Sequence, residues 1–226
     1  MKKYLEQLGE TYSDNHIENF LKYWMGPAYP RKTNDLDCLY YDGDLNADTL
    51  VSVWTPLKWT LECLNPGVKF YKTCRGDKHF YLKKLLYNIR EFLPEKDELV
   101  FKLNELACLA ETYANVILLP DGKMNTHRYR CCRDQVPATL YHVFPGGKLE
   151  TYFSTEEEVI TWINREKLVV AFNGDVARDN IIPLVEGVSA DTVFIPKTRD
   201  EIMIVLDTMI ELLKKRSKLL NLRGNM

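Results

Sequence analysis

Residues 95–122, EKDELVFKLNELACLAETYANVILLPDG, contain the change of character that decides the fold. The first part, 95–113, predicts a helix because leucines recur on one helical face, at Leu99, Leu103, Leu106 and Leu109. The second part, 115–119, is a short apolar run that ends at the turn signature Pro120-Asp121-Gly122. The chain therefore changes here from long helices to shorter, mixed elements.

The residues before this segment are predicted to be mainly helical. Apolar spacing predicts helices over residues 14–25 and 77–93. Pro94 ends the second of these, and its short link to the next helix predicts an antiparallel helical pair. Two short helices are expected within residues 49–64, because Pro56 would disrupt the interior of a single helix.

Shorter runs follow the deciding segment. Residues 139–144 and 149–153 flank a turn that contains Gly146 and Gly147, and they predict a hairpin, with a helix over 139–144 as the alternative. Buried strands are expected at residues 168–172 and 193–195.

Two later helices begin with capping-box patterns. The first starts after Thr155 and the second after Thr198, and the second is the longest predicted helix, reaching about Leu220. These elements lack the strand–helix alternation of a doubly wound sheet. The predicted class is therefore α+β and helix-dominant, with N-terminal and central helices, a small mixed or antiparallel sheet and a long C-terminal helix.

The composition is typical of a globular protein, with 46% apolar and 27% charged residues. It excludes a disordered tail, a collagen-like repeat and a membrane bundle. The net charge of −2 is unlike that of a protein that coats nucleic acid, so a polyanion would bind only to a local patch. No apolar stretch is long enough to span a bilayer, and no membrane partner is expected.

The chain of 226 residues shows no internal repeat and no linker, which predicts a single domain over 1–226. The alternative is a subdivision into a helical part, 1–114, and a mixed part, 115–226. The two lysines near the amino terminus are not followed by the apolar stretch of a signal peptide. The six cysteines are therefore expected to be reduced and the protein to be cytoplasmic.

The basic segment 123–133, KMNTHRYRCCR, is the main candidate for a binding site. No acidic residue lies within it, and guanidinium groups can each bind two oxygens of a phosphate or carboxylate. The sequence allows a strand or a helix here and predicts an exposed position beside the turn. The predicted ligand-binding residues are Lys123, His127, Arg128, Arg130 and Arg133.

The competing interpretation of the basic segment is structural. Its charges would then be solvated, or its arginines would pair with the acidic segment 35–48. Under the binding interpretation, by contrast, truncating Arg128 and Arg130 is expected to weaken binding and to leave stability almost unchanged.

No metal, cofactor or catalytic residue is predicted. Residues 42–48 resemble the first half of a calcium loop, but Ala47 and Val53 stand where the loop needs glycine and glutamate. The cysteines and histidines of the basic segment and its surroundings lack the paired spacing of a zinc site. The same sequence shows no nucleophile elbow and no glycine-rich phosphate loop.

The leading hypothesis is a non-catalytic cytoplasmic binding protein. Its basic segment would contact a phosphate-rich ligand, namely a nucleic acid or a nucleotide, or an acidic protein surface. One alternative is an enzyme acting on a nucleotide or nucleic acid, with arginines that hold phosphate and His127 or His142 as acid or base. A second alternative is a protein–protein inhibitor or scaffold, supported by the aromatic share of 12%.

Overall fold

A computed structural model describes residues 46–71, 80–81, 91–110 and 113–220. In chain order its elements are β1 (Asn46–Thr49), α1 (Trp54–Leu64), β2 (Phe70–Tyr71), β3 (Phe80–Tyr81), α2 (Glu98–Ala110), β4 (Val116–Leu119), α3 (Gly122–Cys132), α4 (Val136–Val143), α5 (Glu156–Arg165) and α6 (Arg199–Leu219). Helices dominate, beside a small antiparallel sheet and a long C-terminal helix. The predicted α+β class is confirmed.

The chain divides into two compact units. The described residues of the first unit are 52–71, 80–81, 91–110 and 196–210, and those of the second are 46–51, 113–195 and 211–220. Each unit is therefore assembled from separate stretches of the chain. The single domain over 1–226 stays a prediction, because a domain is defined by folding on its own.

In the first unit, α1 packs against α2. Helix α2 buries the predicted leucine face, Leu99, Leu103, Leu106 and Leu109. Helix α1 is one helix and not two, so that expectation was wrong. Pro56 is the third residue of α1, where a backbone N–H has no partner within the helix, so its missing N–H costs no helical hydrogen bond.

A two-residue strand, β3, lies within the region predicted as the helix 77–93, and that prediction is wrong at these two residues. Strand β3 pairs in parallel with β2, with Phe70 opposite Phe80. The Phe70 ring is fully buried and meets the Phe92 ring edge-on at 5.5 Å. Most of the predicted helix 77–93, with its antiparallel pairing, and all of the predicted helix 14–25 lie outside the described residues.

In the second unit, β1 and β4 form the antiparallel sheet, with Asn46 opposite Leu119 and Thr49 opposite Val116. The side chain of Asn115 extends this pairing. Its Oδ1 accepts from the Val51 N–H at 2.8 Å, and its Nδ2 donates to the Val51 carbonyl at 3.2 Å. A buried amide therefore satisfies the backbone where the sheet ends.

The predicted hairpin is wrong, and its alternative is confirmed, because residues 139–143 belong to the helix α4. Gly146 has φ +81°, and a Cβ on Gly147 would lie 2.3 Å from the His142 carbonyl oxygen. The Leu149 N–H donates to that same oxygen at 2.8 Å. The two glycines therefore allow the chain to fold back onto the end of α4. A hairpin would instead need two paired strands on either side of the turn.

The two other predicted strands are also wrong. Residues Leu168–Ala171 form a 3-10 helix, and only a single bridge joins Phe172 to Ile181. Residues 193–195 are irregular, because the side chain of Gln135, and not a neighbouring strand, binds the backbone of Phe194. The Gln135 amide donates to the Phe194 carbonyl at 2.5 Å and accepts from the Phe194 N–H at 2.9 Å.

Both predicted capping boxes are confirmed. The Glu158 N–H donates to the Thr155 hydroxyl, and the Glu201 N–H donates to the Thr198 hydroxyl, each at 3.2 Å. Among the described helices, none combines the length and the apolar character that crossing a membrane requires.

Candidate functional site

The basic segment is the helix α3, which is one of the two conformations that its sequence allows. Asp121 caps the helix, with its Oδ1 accepting from the Lys123 N–H at 2.6 Å. One face of α3 is buried and consists of Met124, Arg128 and Cys132, which follow one another at intervals of four residues. A ligand could therefore reach α3 only through residues outside this buried face.

Arg128 is buried, contrary to expectation, with 1% of its surface exposed. Its Nη2 lies 2.5 Å from the Asp48 Oδ2 and also donates to the Thr49 carbonyl. Its Nη1 donates to the Leu50 carbonyl at 3.2 Å. The structural interpretation, in which an arginine pairs with the acidic segment 35–48, is therefore confirmed for this residue.

A second carboxylate faces the same guanidinium, because Asp134 Oδ1 lies 3.5 Å from the Arg128 Nη2. Asp134 and its neighbour Arg133 both adopt left-handed backbone conformations, with φ of 59° and 53°. These two conformations reverse the chain at the end of α3, so that the Asp134 carboxylate faces Arg128 of the same helix. Arg128 thus links α3, the β1 strand and the following turn, and it presents no atom to a ligand.

The other four predicted residues, Lys123, His127, Arg130 and Arg133, are exposed. We call them the α3 basic face. The first three recur at helical spacing, and Arg133 follows at the C-cap. Lys123, Arg130 and Arg133 form no ion pair with any residue that the structure describes. The charges of these three residues are therefore not neutralised by any carboxylate that the structure describes.

Two aromatic side chains border the α3 basic face. The Tyr152 hydroxyl lies 3.3 Å from the His127 Nδ1, and the two rings meet edge-on at 5.9 Å. The Arg133 guanidinium lies 5.8 Å from the centre of the Tyr129 ring, which is 40% exposed. These contacts hold His127 and Arg133 at the surface and add an aromatic ring that a flat ligand could contact.

A second group of polar side chains surrounds His142, near the end of α4. His142 is 7% exposed, and neither ring nitrogen has a hydrogen-bond partner among the described residues. Burial lowers the pKa of His142 below its ordinary 6.5, and the positive charges of Lys148 and Arg178 lower it further, against the opposing effect of Asp191. The imidazole is therefore neutral at pH 7.

Arg178 fixes the surroundings of His142 by stacking on aromatic rings. Its guanidinium lies 4.8 Å from the centre of the Tyr141 ring and 5.9 Å from that of Phe144, and it donates to the Pro145 carbonyl. The buried Nε of Arg178 has no hydrogen-bond partner among the described residues. The His142 imidazole and the Arg178 Nε are thus two buried polar groups without hydrogen-bond partners among the described residues.

Sequence reasoning missed Arg178 and Asp191, because neither belongs to a charge cluster or to a motif with ligand spacing. Another arginine, Arg216 near the end of α6, is buried with 2% of its surface exposed. Arg216 donates to the Glu166 carbonyl at 2.7 Å and the Ala114 carbonyl at 2.6 Å. Burial lowers its pKa to about 10, against the opposing charge of Glu166.

Within the described ranges, no group of three or more His, Cys, Asp or Glu side chains could hold a metal ion. The Asp48 carboxylate of the calcium-like segment is bound to Arg128, whereas residues 42–45 of that segment lie outside the described ranges. Cys131 and Cys132 are free thiols whose sulfurs lie 3.0 Å apart. Burial raises the pKa of the Cys132 thiol, which is therefore protonated at pH 7.

Comparison with family models, with curated proteins and with solved structures gives no match to this chain.

Proposed function

We propose that this protein binds a phosphate-rich ligand, a single-stranded nucleic acid or a nucleotide, through the α3 basic face. The observation that carries the proposal is the set of exposed cations on one helix, without carboxylate partners among the described residues. Guanidinium groups bind phosphate oxygens in pairs, and lysine adds a point charge. Arg128 is not part of this proposed site.

The aromatic rings favour nucleic acid or nucleotide over an acidic protein surface. Tyr129 is exposed beside Arg133, so a base could stack on the ring while its phosphate contacts the guanidinium. An acidic protein surface would satisfy the charges but would leave Tyr129 without a specific role. The proposal keeps the predicted cytoplasmic location, where nucleotides and nucleic acids are both present.

The helix that carries the α3 basic face is firmly held. Asp121 caps its first turn, and Arg128 joins its buried side to β1 and to Asp134. A rigid helix presents its charges in a fixed order, which reduces the entropy lost when a ligand binds. The buried arginine therefore supports binding indirectly, by holding the helix in place.

The proposal is tested with the variant Lys123→Ala/Arg130→Ala, which removes two exposed charges of the α3 basic face. Fluorescent single-stranded and double-stranded oligonucleotides and ATP serve as ligands at low salt. We expect the variant to bind the single strand roughly tenfold more weakly and to melt like the wild type.

The matched control is Lys197→Ala/Lys218→Ala, which removes two exposed lysines elsewhere and changes the net charge equally. The control is expected to bind like the wild type. If it loses as much affinity, binding depends on net charge and not on the α3 basic face. If the wild type binds none of these ligands, the polyanion proposal fails and an acidic protein partner takes its place.

The second candidate function is the enzyme, and the unpartnered His142 imidazole beside Arg178 favours it. A neutral imidazole can accept a proton, and a guanidinium can hold a phosphate. Nucleotides and RNA are incubated with wild type, His142→Asn and His127→Asn. Turnover lost only in His142→Asn supports this candidate, whereas absence of turnover in the wild type removes it.

A further inference from the structure

Two adjacent thiols, Cys131 and Cys132, lie at the end of α3. The sulfurs of Cys131 and Cys132 are 3.0 Å apart. Cys132 is fully buried, whereas Cys131 is half-buried and therefore gives access to the pair. The Cys131 thiol also faces the Arg128 carbonyl at 4.0 Å. The helix thus holds two sulfur atoms close together before any ligand arrives.

A disulfide between them does not fit this helix. Bonded cysteines have Cα atoms about 4.4–6.8 Å apart and sulfurs about 2.05 Å apart. Adjacent Cα atoms across a trans peptide are only about 3.8 Å apart. Forming the bond would distort the last turn of α3, where the Arg133 N–H donates to the Tyr129 carbonyl at 3.2 Å. The pair is better suited to holding an atom between its sulfurs.

Two neighbours of Cys132, the Thr139 hydroxyl and the Arg128 guanidinium, act against the effect of burial on its sulfur. Burial and the neighbouring Cys131 raise its pKa, whereas the Thr139 hydroxyl and the Arg128 guanidinium oppose that rise. A sulfur bound to a soft ion is polarised in the same direction as a thiolate. Thr139 and Arg128 would therefore favour the bound form.

The separation of the sulfurs selects the kind of ion. Zinc needs four ligands, and the described residues offer no group of three. In a linear two-coordinate complex, the distance between the two sulfurs would be twice a metal–sulfur bond of about 2.3 Å. That distance is larger than the 3.0 Å between the sulfurs of Cys131 and Cys132. Pyramidal trivalent arsenic holds two sulfurs on one side at a narrow angle, as adjacent thiols require.

We propose that Cys131 and Cys132 form a dithiol site for a monosubstituted trivalent arsenical. Two S–H bonds break and two As–S bonds form, and the oxygen of the arsenical leaves as water with both thiol protons. Arsenic stays trivalent, so the step needs no oxidant or reductant. The proposal does not depend on ligand binding by the α3 basic face.

The probe is phenylarsine oxide, followed by intact mass measurement in the presence of excess 2-mercaptoethanol. A ligand held by two sulfurs survives a competing monothiol, whereas a ligand held by one does not. We expect the wild type to retain one phenylarsenic group per chain, with unchanged helical circular dichroism, and to release it to 2,3-dimercaptopropanol.

Three variants locate the site. Cys131→Ser and Cys132→Ala should each lose the retained group, and Cys63→Ser, which changes a half-buried thiol in α1, should keep it. If Cys132→Ala does not fold, Cys131→Ser decides, because that side chain is half-buried. Retention in Cys131→Ser, loss in Cys63→Ser, or no retained group in the wild type overturns the proposal.

Discussion

At the scale of single residues, Arg128 and Arg130 show how two arginines on one helix take opposite roles. Arg128 shares its face with Met124 and Cys132 and binds Asp48, whereas Arg130 faces solvent. Charge alone predicted the same role for both. Once α3 is known to be a helix, the spacing of Met124, Arg128 and Cys132 is enough to place Arg128 inside.

Replacing Arg128 with methionine should strongly destabilise the protein. The change leaves Asp48 without its cation and removes donors from two backbone carbonyls. Removing one partner of a buried ion pair costs about 3–5 kcal/mol. Urea denaturation measures the change, with Arg130→Met as the control that should leave the midpoint almost unmoved. Equal midpoints for the two variants would show that Arg128 is not structural.

His142 should make stability depend on pH. Above its ordinary pKa of 6.5 the imidazole is neutral in both states, and below it the unfolded chain takes up a proton that the folded chain resists. The free energy of unfolding should therefore fall as pH drops below 6.5, by at most about 1.4 kcal/mol per pH unit from this group.

The measurement is urea denaturation between pH 8 and pH 5, both ends chosen to lie roughly 1.5 units from the reference pKa of histidine. His142→Asn should flatten the dependence, and His127→Asn, at an exposed position, should preserve it. A His142→Asn variant with the slope of the wild type would contradict the assignment.

At the scale of elements, the long helices were predictable and the short strands were not. Periodic leucines specified α2, and capping boxes specified the starts of α5 and α6. The predicted strands failed because distant side chains and glycines satisfied the backbone instead. Gln135 pairs with Phe194 across 59 residues, and Gly147 allows the chain to contact His142. Such contacts cannot be predicted from the residues next to each predicted strand.

Removing either helix cap should lower stability by similar amounts. Thr155→Ala and Thr198→Ala each leave one backbone N–H of a first turn without its acceptor. Each is expected to cost about 1 kcal/mol in thermal or urea unfolding, and threonine to serine at the same positions should restore most of it. Unchanged stability in both alanine variants would mean that these caps do not contribute.

At the scale of the whole molecule, the net charge of −2 and the α3 basic face need not conflict. Surface potential depends on where charges lie, and the net charge describes only their sum. The sequence predicted five exposed binding residues, and the four of the α3 basic face are exposed, but it could not distinguish Arg128, whose partner Asp48 lies 80 residues earlier. Binding through the α3 basic face is the central claim.

The salt dependence of binding tests that claim most directly. Each phosphate contact on a single strand contributes about −0.7 to the slope of log K against log salt concentration. Lys123→Ala/Arg130→Ala removes two such contacts, so its slope should be shallower by about 1.4 than that of the wild type. The Lys197→Ala/Lys218→Ala control should keep the slope of the wild type. Equal slopes for all three proteins would contradict binding through the α3 basic face.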